Sequence, residues 1–82
     1  MNPTSDQLND LCRALRRRLA VVADHGLRDR DPAAHLSALR EAAAHLETLE
    51  QALPVGTDPQ LRHYLERQSY QKAIDWLEAR QG

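Results

Sequence analysis

The chain has 82 residues, a formal charge of −1 and a single cysteine, Cys12. That length allows one domain with one thin core, because a domain this small buries only about 60 to 65% of the surface its unfolded chain exposes. One cysteine excludes an internal disulfide, the near-zero charge gives no global pull toward nucleic acid or acidic lipid, and no apolar run approaches the ~18 residues of a membrane span.

Residues 1–10 are polar and lack the apolar segment of a secretion signal, so the expected setting is reducing and cytoplasmic. Thirteen leucines and twelve alanines, against three valines, one isoleucine and no phenylalanine, form a helix-favouring set and predict an all-α fold. The expected architecture is a single domain over residues 1–82. It is a small antiparallel bundle of three long helices, the third kinked or broken near Gln68-Ser69 to give a short fourth.

The first helix is expected over about residues 5–25. Thr4-Ser5-Asp6-Gln7 fits a capping box, and Asp6 sits at the positive end of the helix dipole. Leu8, Leu11, Cys12, Leu15, Leu19 and Val22 keep three- and four-residue spacing, so they form one apolar stripe. Gly26 followed by Leu27 has the form of a Schellman stop. The second helix, about 32–53, opens with Asp31 as N-cap and Pro32 at its first position, and closes before Pro54-Val55-Gly56. Its stripe is Leu36, Leu39, Ala43, Leu46, Leu49 and Leu53. Both helices span about 30 to 33 Å, and a short connection suits an antiparallel hairpin.

Asp58-Pro59 repeats the cap-and-start signal and opens a third helix over about 59–67, with Leu61, Tyr64 and Leu65 on its apolar face. At about 100° per residue, that set does not continue into Tyr70, Ala73, Ile74 and Leu77, which lie about 120 to 140° round the helix. A straight rod cannot bury both sets against one neighbour. Ser69 is a candidate N-cap for a separate helix over about 70–80.

The spacing of Tyr64, Tyr70, Ala73 and Leu77 resembles part of a tetratricopeptide unit over about 14 residues. The pattern departs at Gln68, where that family has glycine, and at Arg80, where it has a small residue. No second copy is present. Such units stack in arrays to bury their faces, so a single half-unit is read as helical-hairpin packing.

Arg13, Arg16, Arg17 and Arg18 form the densest charge cluster, and Arg13, Arg16 and Arg17 fall away from the leucine stripe. As a basic patch they offer an alternative role in a small nucleic-acid-binding or regulatory protein, but they lack neighbouring aromatics and a recognisable helix-turn-helix. Residues 5–28 carry five arginines against three aspartates, whereas residues 29–53 carry two arginines against two aspartates and three glutamates. Arginines facing Glu41, Glu47 or Glu50 would therefore match charge across the hairpin.

No metal or cofactor is expected. The four histidines, His25, His35, His45 and His63, are nowhere closer than ten residues, whereas a helical zinc pair needs spacing of three or four. His35 falls within the apolar arc of the second helix and is expected to be partly buried. Cys12 lies on an apolar stripe and reads as a small core residue. With no glycine-rich phosphate loop and no nucleophile paired to a base, a non-enzymatic role is expected. Arginines on a long first helix are similar, at a coarse level, to small all-α chorismate mutases. The second helix has no lysine, however, and Ala73 stands four residues after Ser69 where that family places glutamine, so the resemblance stops there.

All of the chain's aromatic residues, Tyr64, Tyr70 and Trp76, fall in the C-terminal segment. With Arg67, Ile74 and Leu77 they form the expected interface, because tyrosine, tryptophan and arginine give large contact area with a polar handle. The expected function is protein–protein interaction or self-association. A second copy of the chain is the expected partner, another protein the alternative, and neither nucleic acid nor membrane is expected to bind.

Overall fold

A computed structural model describes residues 2–81. These form five helices and no strand: α1 Ser5–Val22, α2 His25–Arg30, α3 Pro32–Gln51, α4 Pro59–Glu66 and α5 Tyr70–Gln81. None of these helices is long and apolar enough to cross a membrane.

Local side chains set the helix starts. The Thr4 hydroxyl accepts from the Gln7 amide at 3.0 Å, and the Thr4 amide donates to the Gln7 side chain at 2.8 Å, which completes the capping box. Asp31 and Asp58 cap α3 and α4, accepting from the backbone amides of Ala34 at 3.1 Å and Gln60 at 2.8 Å. In each case proline follows the cap at the position where a helix has no use for the missing N–H.

The first helix ends earlier than its sequence suggests. α1 stops at Val22 with Ala23 as C-cap, and Asp24 then starts α2 by accepting from the Leu27 amide at 3.0 Å. Gly26 is therefore inside α2 with no positive φ, and it does not form the expected Schellman stop. That motif occurs instead at the end of α4. Gln68 takes φ 56°, its amide donates to Leu65 O at 3.1 Å, and the Ser69 amide donates to Tyr64 O at 2.8 Å. The expected break between the third and fourth helical segments is thus a reversal built on a non-glycine residue.

Two contacts fix the direction of α1 against α3. The Gln7 side-chain Nε2 donates to Ala52 O at 3.4 Å, while His35 Nε2 meets Val21 O at 2.8 Å, so the start of α1 adjoins the end of α3 and the reverse. The pair is antiparallel. α1 also packs on α5, α2 packs on α3, and α4 packs on α5. Leu11, Leu15, Leu61 and Leu77 are fully buried where α1, α4 and α5 converge. Each contributes about 1.5 to 3 kcal/mol by leaving water.

The inner face of α3 is shifted from the expected stripe. His35, Ala42 and Leu46 are buried, whereas Leu36 is 47% exposed and Ala43 is exposed. Val22, at the end of α1, is also exposed. The helical period accommodates this face equally well, since 35, 42, 46, 49 and 53 are separated by whole turns of three or four residues. Charge matching also differs from expectation: the Arg16 guanidinium pairs with Glu78 on α5, not with Glu41, Glu47 or Glu50 on α3.

Candidate interaction surface

The reversal at Gln68 directs α5 so that its apolar arc meets α1 and α4. Ala73, Ile74 and Leu77 are consequently buried in the core. Ile74 and Leu77, placed in the interface by sequence, contribute almost no accessible surface, because the same arc that packs the monomer is the one that carries them. Tyr64, Tyr70 and Trp76 are partly buried and pack against the core from its edge. Arg67 is exposed at the C-cap of α4.

Tyr64 and Trp76 share a shallow groove of about 450 Å³ between α4 and α5, whose remaining walls are Lys72, Asp75, Ala79 and Arg80. Arg80 lies over Trp76 with its guanidinium carbon 3.6 Å from the ring centroid, and its Nη1 donates to Trp76 O at 3.4 Å. The cation is attracted by the negative face of the indole, and the stack holds the ring in one orientation. His63 adjoins Tyr64 at the other side, with ring centroids 6.3 Å apart. The sequence reading does not single out Lys72, Asp75, Ala79 or Arg80 for the interface. The available signal was the three- and four-residue spacing of Lys72, Asp75, Trp76, Ala79 and Arg80, which places them on one face of α5.

No family model, curated protein or solved structure matches the chain.

The alternative basic face is less concentrated than its sequence. Arg13, Arg16 and Arg17 are exposed on α1. Arg16 is engaged by Glu78, whose hydrogen bond, with the nearby Cys12 and the Glu78 charge, lifts the guanidinium further above its ordinary value. Among the described residues the cation–π contact is made by Arg80 on Trp76, not by Arg13 or Arg17. Cys12 is buried. Among the described residues no group of three or more histidine, cysteine, aspartate or glutamate side chains could hold a metal.

A separate cavity of about 110 Å³ lies where the end of α3 meets α4, lined by Glu50, Leu53, Arg62, Leu65 and Glu66. Glu50 Oε1 is buried there without a hydrogen-bond partner. Burial, reinforced by the Glu47 charge, raises the Glu50 carboxyl above its ordinary value. Arg62 turns instead to the chain reversal, donating to Pro54 O at 2.8 Å and Leu53 O at 3.4 Å.

Proposed function

We propose that the protein is a non-enzymatic interaction module that associates with a second copy of itself through the outer side of α5. The observation that carries this reading is the groove containing Tyr64 and Trp76, an aromatic surface left at the edge of the core with one ring already oriented by Arg80. Tryptophan, tyrosine and arginine supply most of the energy in known interfaces, and a pre-oriented ring loses less freedom on binding. A thin helical domain gains by covering such a surface, and two-fold dimers are the commonest way to do so. The burial of Cys12 withdraws the chain's one thiol from the surface, in keeping with a role that uses no cysteine nucleophile.

Sedimentation of Trp76→Ala and Arg17→Ala across a range of concentrations tests this reading. Truncating a central tryptophan removes about 1 to 3 kcal/mol of association energy, whereas Arg17→Ala leaves association unchanged. If both variants stay folded and Arg17→Ala loses more, the basic face of α1 is the functional surface. A nucleic-acid role for that face would show a steep loss of affinity between low and moderate salt.

A further inference from the structure

Lys72 and Asp75 stand one turn apart on the exposed side of α5, and both line the groove beside Trp76. Among the described residues neither Lys72 nor Asp75 forms an ion pair, and Asp75 accepts from the Gln71 side-chain Nε2 at 3.1 Å. Two neighbouring charges are already occupied, since Glu78 holds Arg16 and Arg80 lies on Trp76. Beside the Arg80 cation stacked on Trp76, Lys72 and Asp75 thus stand as one positive and one negative charge without an ion pair, in fixed order along the helix.

That order selects its partner. An acidic ligand laid along the groove meets Asp75, and a basic one meets Lys72. A helix carrying the same two charges in the opposite direction satisfies both, and α5 run backwards is such a helix. Parallel alignment of two copies would oppose Lys72 to Lys72 and Asp75 to Asp75. In antiparallel alignment, a two-fold axis midway between the two residues sets each Lys72 against the other copy's Asp75. The residues are about 4.5 Å apart along the helix, so one register satisfies both pairs. It also brings each Trp76 level with Gln71 of the opposite copy.

We propose, building on the self-association reading, that α5 pairs antiparallel with α5 of a second copy through two reciprocal Lys72–Asp75 ion pairs set between the two Trp76 rings. The interface is isologous, as a closed two-fold dimer requires. A stable contact needs about 500 to 800 Å² from each partner, which is about a tenth to a seventh of the 5579 Å² that the chain exposes. The charges fix direction and register, and the aromatic groove supplies most of the affinity.

Charge exchange tests the pairing. Lys72→Asp and Asp75→Lys each place like charges together twice, and each raises the dimer dissociation constant by about tenfold or more in light scattering on a sizing column. The double variant K72D/D75K restores both pairs with reversed sign and returns the constant to near the wild-type value. Both positions are exposed, and circular dichroism on each variant checks that the helices persist. If the wild type dimerises but the single variants do so equally well, the pairing proposed here is overturned while self-association stands. If the single variants weaken the dimer and the double variant does not recover it, the reciprocal register is overturned. If the wild type stays monomeric throughout, the self-association reading falls and this inference with it.

Discussion

His35 Nε2 lies 2.8 Å from the carbonyl oxygen of Val21, joining the first turn of α3 to the last turn of α1. A carbonyl only accepts, so the imidazole nitrogen carries the proton and donates it. His35 is buried, and this bond gives its ring a partner at the end of the antiparallel pair. His35→Ala removes the bond and leaves a space, so we expect a loss of about 1 to 3 kcal/mol, read as a fall in Tm of at least about 4 °C. An unchanged Tm would mean that the contact contributes nothing to holding α1 on α3.

Gln68 holds φ 56° in the Schellman turn after α4, a conformation that costs a side-chain-bearing residue about 1 kcal/mol or more. Gln68→Gly removes that cost but frees the unfolded chain, so a net gain of about 0.5 to 1 kcal/mol is expected. Thermal unfolding reads this directly. A lower Tm for the glycine variant would show that the Gln68 side chain stabilises the turn by more than its backbone strain costs.

Glu50 binds its proton more tightly in the folded chain than in the unfolded one, because burial and then Glu47 disfavour its charge. Folding therefore gains from this group at low pH, and the gain is lost as pH rises from the ordinary carboxyl value through the raised one. Glu50→Gln keeps the neutral shape at every pH. We expect it to raise Tm by about 1 to 4 °C at neutral pH, with a smaller difference at about pH 4. Equal effects at both pH values would place the origin outside the ionisation of Glu50.

The fold was legible where its signals are local. Asp31-Pro32, Asp58-Pro59 and the Thr4–Gln7 box mark helix starts because a side-chain oxygen reaches an amide two or three residues ahead, and sequence alone contains both partners. The end of α1 was obscured because two signals compete there. Asp24 starts a new helix before Gly26 can end the old one. At Gln68 the change of apolar phase marked the break, although the expected glycine is absent.

Facing was harder to read than helix content. His35 is buried, as its place in the apolar arc suggests, whereas Leu36 from the same expected stripe is 47% exposed; the carbonyl of Val21 that His35 meets lies fourteen residues away, and no local pattern reveals it. The candidate surface divides in the same manner. Tyr64, Tyr70 and Trp76 stand at the core's edge, but Ile74 and Leu77 are needed inside, because one helical arc cannot face both α1 and solvent. Arg16 finds its partner on α5, a helix whose approach to α1 depends on the turn at Gln68.

Light scattering on a sizing column, over a hundredfold range of concentration at low and moderate salt, tests self-association through α5 most directly. We expect the wild type to pass from monomer to dimer as concentration rises, to remain dimeric at moderate salt, and to lose the transition in Trp76→Ala. A wild type that stays monomeric throughout, or a Trp76→Ala variant that dimerises as well as the wild type, would contradict the account.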